Sequence, residues 1–404
     1  MSKETYTSFI PLIFASDNDY AVAHTEKYEV EEKNILTNLP VDVLELIMKR
    51  LPLKNYLRLR AICRSCRNTV SNIIENKHCC PLPELPTLST KSLGSIDGWL
   101  IVIDESEEGF AKIFFLNPVT DVRIAIPSKL YLPSNSKSSN IGDRIPYVIK
   151  MTASSKPNCD GSDCYLVGLL SDYCHIAIYK LFENSWTIIE PDKDSQTYFM
   201  DIEIIGTKLY VTDSSSDSVL VYDLKDSSNG PPKAERLSVF PRRPAGSSLY
   251  ISFLAKDKTL RELYFISMFF NGEIETQQHV SDHFKVVSVF AKPPQVTSFE
   301  VFKLDTNKSP TELQNVKLED RVAFVSNVNS MVMRRDELNY NKELIRRNTI
   351  YFAFSFPCPN INPSTSLEFG MFCLNDRSIE YFPEETSKHG DVAYCPSWFV
   401  PSLW

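Results

Sequence analysis

Residues 99–126 read WLIVIDESEEGFAKIFFLNPVTDVRIAI, and the order of that stretch decides the fold. An aromatic residue opens a short apolar strand, Trp99-Leu100-Ile101-Val102. A second strand follows in the order apolar, aromatic, any, Leu, as Ile113-Phe114-Phe115-Leu116. It runs into the turn former Asn117-Pro118, and Val122 to Ile126 makes a third strand that stops at Pro127. β-prone runs of this length, bounded by Asn, Asp, Gly and Pro, read as strands joined by tight turns.

The unit then recurs. Tyr165-Leu166-Val167, Tyr210-Val211, Tyr264-Phe265-Ile266 and Tyr351-Phe352 are further openers. Ile178-Tyr179-Lys180-Leu181, Val221-Tyr222-Asp223-Leu224, Val301-Phe302-Lys303-Leu304 and Met371-Phe372-Cys373-Leu374 are further second strands. Third strands follow at Trp186 to Ile189, Arg236 to Phe240, Leu313 to Leu318 and Ile379 to Phe382. Pro191, Pro241 and Pro383 close three of these, as suits an outer strand with no neighbour beyond it. Four openers are preceded by one more strand, at Tyr147 to Met151, Met200 to Ile205, Leu249 to Leu254 and Arg321 to Val325. Four strands repeated every several tens of residues predict an all-β propeller.

The repeats predict a ring of five blades, or six if 81–95 forms strands of its own. The first unit shows no obvious preceding strand, while Trp398-Phe399-Val400-Pro401-Ser402-Leu403-Trp404 is apolar and unassigned. A C-terminal strand from that stretch is therefore expected to close the ring. The longest irregular stretches, at Pro133 to Ile145, Lys225 to Ala234, Asn271 to Phe284, Asn327 to Arg347 and Pro357 to Leu367, are expected to be rim loops. Loops on a rigid ring are the expected place for partner binding. Arg334, Arg335, Arg346 and Arg347 make the fourth of these locally basic, which suits either an acidic partner or a solvated loop.

Ahead of the repeats the pattern turns helical. Leu39-Pro40 can open a helix, since proline at the first helical position has a preset φ and needs no N–H partner. Asp42 and Glu45 then put negative charge in the first turn, and Lys49 and Arg50 put positive charge in the last, before Pro52. Val41, Val43, Leu44, Leu46, Ile47, Met48 and Leu51 wrap apolar side chains around most of this helix, more than one buried stripe requires. Lys54 to Ile62, and Ser65 or Arg67 to Asn76, give two more short helices. Three helices of this length can close a small core but leave the surplus of the first as a docking surface for another protein. The expected organisation is an acidic, weakly structured tail at 1–33, a helical domain at 34–78, a Pro-rich connector at 79–92 and the propeller at 93–404. Pro81, Pro83 and Pro86 stiffen the connector.

Leu39-Pro40, Leu44, Ile47, Leu51-Pro52, Leu57, Arg60 and Cys63-Arg64-Ser65-Cys66-Arg67 resemble the F-box. The pattern departs at Cys66, where the family carries Trp, which takes a ring from the third-helix anchor. The resemblance continues through Gly94-Ser95-x-x-Gly98-Trp99-Leu100, Phe115-Leu116-Asn117-Pro118-Val119-Thr120, Leu318-x-Asp320-Arg321-Val322 and Trp398-Phe399-Val400-Pro401-Ser402. Together these are similar to plant F-box proteins with a KIB-type, Kelch-like β-propeller. The resemblance implies a non-catalytic substrate-recognition subunit of an SCF-type E3 ubiquitin ligase. It also implies that Leu39, Pro40, Leu44, Ile47, Leu51 and Leu57 contact the adaptor subunit, and through it the cullin, while the propeller binds a target protein.

Composition narrows the alternatives. No run of the ~20 apolar residues that a membrane span needs occurs, and Phe9 to Ala15 is too short and too acidic in its surroundings for a signal peptide. Ten cysteines without regular spacing suit a reducing compartment, here the nucleus or cytoplasm. Between residues 34 and 77 eight Lys and Arg stand against Asp42, Glu45 and Glu75, in a chain whose net charge is −8. A basic segment in an acidic protein favours an acidic protein partner over nucleic acid. Cys63 and Cys66, with His78, Cys79 and Cys80 downstream, have poor geometry for zinc, so no metal and no cofactor is expected. Asp160, Asp163 and Asp172 do not fall into a calcium loop. No Gly-rich phosphate loop and no Gly-x-Ser-x-Gly occurs. A propeller scaffold working without the ligase remains an alternative, as does a propeller hydrolase, whose two carboxylates could come from any blades.

Overall fold

The computed structural model describes residues 90–107, 110–118, 120–126, 148–157, 164–171, 173–180, 186–190, 197–214, 217–225, 231–239, 249–257, 259, 261–272, 274–279, 286–290, 294–305, 311–338, 345–355, 367–382 and 397–398, together with Pro40 and Val43. The first repeat folds as a four-stranded antiparallel meander of β1 (Thr90–Ile96), β2 (Trp99–Glu107), β3 (Phe110–Asn117) and β4 (Val122–Ile126). Asp97 and Gly98 join β1 to β2 with φ of 44° and 83°. An Asp-Gly pair with both φ positive is the two-residue turn whose twist matches that of the flanking strands. The second repeat is the same meander in β5 (Val148–Ala153), β6 (Tyr165–Leu170), β7 (Ile176–Lys180) and β8 (Trp186–Ile189).

The third repeat comprises β9 (Phe199–Ile205), β10 (Lys208–Asp213), β11 (Ser218–Asp223) and β12 (Ala234–Val239). The fourth holds β13 (Leu249–Asp257) and β14 (Glu262–Asn271), then a hairpin of β15 (Ile274–His279) and β16 (Val286–Phe290), then β17 (Gln295–Leu304). Two short strands follow: β18 (Thr311–Glu312) pairs in parallel with β12, and β19 (Gln314–Asn315) pairs with β17. The last repeat contains β20 (Arg321–Ser326), β21 (Ser330–Arg334), β22 (Thr349–Ser355), β23 (Leu367–Cys373) and β24 (Ile379–Tyr381). Its order is β21-β20-β22-β23-β24, and β21 pairs with β13 over two residues, which joins the last two repeats into one nine-stranded sheet.

Each of the three inner repeats packs its two faces on its two neighbours, which is why their strands read as unbroken apolar runs. Leu166 and Leu170 of β6 pack with Trp99, Ile101 and Phe115 of the first repeat. Val167 and Leu169, on the alternate positions, pack with Ile202, Val211 and Tyr222 of the third. Tyr210 and Val219 then meet Leu254, Phe265 and Phe302, while Phe253 and Phe299 meet Phe352, Phe354 and Phe372. Sheets stacked face to face in chain order make a β-propeller-like, all-β body.

The structure corrects the sequence reading in four places. The first repeat has its own preceding strand, β1, which begins inside the stretch assigned to the connector. Its sequence, Thr-Lys-Ser-Leu-Gly-Ser-Ile, is too polar and Gly-interrupted to declare itself. The place kept for a C-terminal strand is thus already filled by β1; Ser397 and Trp398 lie outside any strand, and residues 399–404 lie outside the described residues. Two stretches read as loops carry strands, since β15 falls in 271–284 and β21 in 327–347. The third strand expected over Leu313 to Leu318 shrinks to the two-residue β19, and the remaining expected strands form where the repeat places them.

Candidate functional site

Of the six expected adaptor contacts, Pro40 lies within the described residues; Leu39, Leu44, Ile47, Leu51 and Leu57 lie outside them. The Val43 amide donates to the Pro40 carbonyl at 3.1 Å, a turn that starts at the proline. Val43 itself is 40% exposed, so an apolar side chain beside the expected contacts faces solvent.

A second constellation was not anticipated. Strands β5, β9 and β13 stand side by side, and each carries charge among its apolar residues. Lys150 on β5 makes a buried ion pair with Asp201 on β9. Asp201 also accepts the amides of Ile202, at 2.7 Å, and Leu254 on β13, at 2.8 Å. Burial pushes the Asp201 carboxyl above the ordinary carboxylate range, and the Lys150 ammonium and the two amides pull it back. Two residues along, Glu203 Oε1 accepts the Thr152 hydroxyl at 2.9 Å, its neighbour's amide on Ile204 at 2.9 Å, and the Lys256 ammonium at 3.1 Å. Lys256 also donates to the Ile204 carbonyl. Three consecutive repeats are thus tied together by charge-assisted bonds. A buried charge costs several kcal/mol unless it is paired, so each member requires the others. Charged residues inside otherwise apolar strands, at 150, 201, 203 and 256, were the available sequence signal.

The tie continues on either side of these three strands. Arg321 on β20 donates to Asp257 on β13 at 3.0 Å. At the next seam Asn329, in the β20–β21 turn, uses its whole amide: Nδ2 donates to the Ser95 hydroxyl at 2.8 Å and to the Trp398 carbonyl, and Oδ1 accepts the Trp398 amide at 2.9 Å. The Trp398 indole donates to the Val325 carbonyl at 2.8 Å, and its ring packs on Phe324 and Phe369. Trp398 therefore joins the last repeat to the first, through its backbone and the Asn329 amide.

Beside this node a cavity of about 20 Å³ opens to solvent, lined by Ser95, Asp97, Gly98, Glu203, Lys256 and Ser330 among others. The Ser330 hydroxyl is buried in its wall without a hydrogen-bond partner.

The basic stretch of the sequence is largely answered within the chain. Arg334 pairs with Asp336 at 2.9 Å and with Asp320, and Arg346 pairs with Glu380 at 2.9 Å. Cys63, Cys66, His78, Cys79 and Cys80 lie outside the described residues, as do Asp160, Asp163 and Asp172. Cys164 and Cys174 are buried thiols that donate to the Ser155 and Thr197 carbonyls. Among the described residues no group of His, Cys, Asp and Glu could hold a metal ion.

Comparison with known proteins follows this division of the chain. The model of the KIB1-4 beta-propeller family matches residues 70–383, and the model of the F-box domain matches residues 36–78. No curated protein matches the chain. Among solved structures it is similar to the WD40 domain of SCAP from fission yeast, at 12% identity and a TM-score of 0.25, over 75% of this chain and 66% of that one. It is also similar to YjhT, at 12% identity and a TM-score of 0.31, over 76% of this chain and 86% of that one. A third similar structure is a mutant of AofleA from Arthrobotrys oligospora, at 10% identity and a TM-score of 0.30, over 78% of this chain and 90% of that one.

Proposed function

Because this chain belongs to the KIB1-4 β-propeller family and is an F-box protein, we propose that it is the substrate-recognition subunit of an SCF-type ubiquitin ligase. The single observation that carries this reading is the F-box match directly ahead of the propeller, since such a pair has one end for a ligase and one for a target. The F-box segment binds the adaptor through Leu39, Pro40, Leu44, Ile47, Leu51 and Leu57, and through the adaptor it reaches the cullin. The exposed Val43 beside them supports an apolar docking face.

The work of this subunit is positioning. A target held on the propeller keeps its lysines near the charged conjugating enzyme at high effective concentration, with no catalytic group or cofactor supplied by this chain. We read the ring as five-bladed and Kelch-like and the protein as of plant type. It acts in the nucleus or cytoplasm, without nucleic acid or membrane as a partner.

Adaptor capture tests this. The full-length protein should pull the adaptor down, and Leu44→Arg combined with Ile47→Arg should cut recovery about tenfold or more, because two charges would then face an apolar contact. Equal recovery would remove the ligase role and leave a propeller scaffold or hydrolase working alone.

A further inference from the structure

We propose that the end of the propeller at which β5, β9 and β13 begin takes an extended, arginine-bearing segment of a partner polypeptide across a band of half-exposed aromatic rings. The proposal rests on the propeller being the part of the chain that holds the target, and it adds which end does so and which chemistry it reads.

Strand direction gathers the rings. β5, β9 and β13 run the same way, because Lys150 and Thr152 meet Asp201 and Glu203, and these meet Leu254 and Lys256 in the same order. β21 is parallel to β13, and the pairing from β20 to β24 then starts β23 and finishes β24 at the end where β13 starts. Tyr173, Tyr198, Tyr250, Phe269 and Tyr381 lie at this end, one or two from each of repeats two to five, and none of them is fully buried. Tyr173 and Tyr198 stack with ring centroids 5.1 Å apart and planes 15° apart. The Tyr198 carbonyl accepts the Ser214 amide at 2.9 Å, and across the same β10–β11 turn Asp217 accepts the Tyr250 hydroxyl at 3.4 Å. The Tyr250 ring lies 6.2 Å from that of Phe269, whose carbonyl accepts the Thr297 hydroxyl. Next to Thr297, the Val296 carbonyl accepts the hydroxyl of Tyr381, which is 44% exposed. Direct contacts thus link the rings from the second repeat to the last. Tyr173 keeps a φ of 56°, a strained backbone for a bulky residue, and such strain persists where a side chain is needed in one place.

Charge selects the partner. Among the described residues no Lys or Arg stands at this end of repeats two to five, where Glu190, Asp213, Asp217 and Glu368 lie. The described Lys and Arg of these repeats gather toward the opposite end, as Lys208, Arg261, Lys303, Lys317 and Arg347 do. Long-range attraction follows the sum of charge, whichever neighbours the carboxylates hydrogen-bond. A guanidinium lies flat on an aromatic face and is more weakly hydrated than an ammonium, so arginine gains most from rings with carboxylates beside them. Rings spread over four repeats suit an extended chain that meets several of them in turn.

Fluorescence anisotropy of the full-length protein at about 0.15 M salt, with a fluorescein-labelled peptide of alternating Arg and Gly as the probe, tests the assignment. The probe should bind saturably in the micromolar range, its Lys-Gly counterpart about threefold more weakly, and its Glu-Gly counterpart not at all. Tyr173→Asn with Tyr381→Leu removes two rings and no charge, while Glu190→Gln with Asp217→Asn removes two charges and no ring. Each pair should weaken the probe about fivefold or more, and Asn is chosen at 173 and 217 because it tolerates their positive φ. Tyr381→Leu alone should weaken it about twofold, which keeps the aromatic arm readable should the pair fail to fold. Asp223→Asn with Glu235→Gln makes the same charge change at the opposite end and should leave binding as it is. No saturable binding, equal binding of the Glu-Gly peptide, aromatic variants that bind like wild type, or an opposite-end pair that weakens the probe as much as Glu190→Gln with Asp217→Asn would each overturn it. The adaptor takes no part in this titration, so its outcome is separate from that of the capture experiment.

Discussion

Gly94 shows how little freedom one position can have. It lies on β1 against β5, and a Cβ there would collide with the Met151 carbonyl oxygen, a backbone atom that cannot swing aside. At this point the backbone of β1 meets that of β5 directly, whereas the later seams are bridged by Lys150, Glu203 and Lys256. Gly94→Ala should therefore destabilise the propeller by about 2–3 kcal/mol, as overpacking of a tight interior does. A urea midpoint unchanged from wild type would show that β1 can move away at no cost. Asn329 is the opposite case, a residue kept for the number of bonds its side chain can make. Each arm of its amide is used, and removal of Oδ1 strands the buried Trp398 amide.

Among the elements, the β14–β17 pair carries a titration that can be followed. Glu262 on β14 accepts Lys303 of β17 at 2.5 Å and the Tyr264 hydroxyl at 2.9 Å. Burial pushes the Glu262 carboxyl up, but Lys303, Tyr264 and the charge of Arg321 pull harder and hold it below its ordinary value of 4.5. A carboxyl depressed on folding lends stability above its unfolded pKa and loses it as pH falls through the folded one. Glu262→Gln should thus cost about 0.5 kcal/mol at pH 7, a modest value because Lys303 is 44% exposed, and the gap to wild type should close below about pH 4. A gap independent of pH would assign the effect to packing. The elements also show what the sequence could reveal. Strands opened by Trp99, Tyr165, Tyr210, Tyr264 and Tyr351 were legible because an apolar run between turn formers has few other uses. β1 was hidden by Lys91, Ser92 and Gly94, which leave only Leu93 and Ile96 as apolar signal. β21 was hidden by position, because Ser330-Met331-Val332-Met333-Arg334 breaks the four-strand count that defined the repeat. The cavity was illegible for the same reason: its residues come from four strands and two turns, and no linear spacing joins them.

For the whole molecule, the sheets hold together by an uninterrupted series of ties. Close backbone approach joins the first two repeats, ion pairs join the second to the third, the third to the fourth and the fourth to the last, and Asn329 with Trp398 joins the last to the first. Removing residues 398–404 should abolish cooperative thermal unfolding of the propeller. The lost tryptophan alone accounts for about 3–5 kcal/mol, against a domain stability of about 5–15 kcal/mol. A truncated chain that melts like the intact one would show that the seam holds without this segment. The same seam has a consequence in time. Ser95 and Trp398 are 303 residues apart, so at about 5–20 residues per second the ribosome takes on the order of 15–60 s to deliver the second after the first. Through that interval the nascent protein is an open arc whose first sheet waits for its last neighbour. Its vulnerability to aggregation is therefore set by elongation speed and by whatever shelters the growing arc.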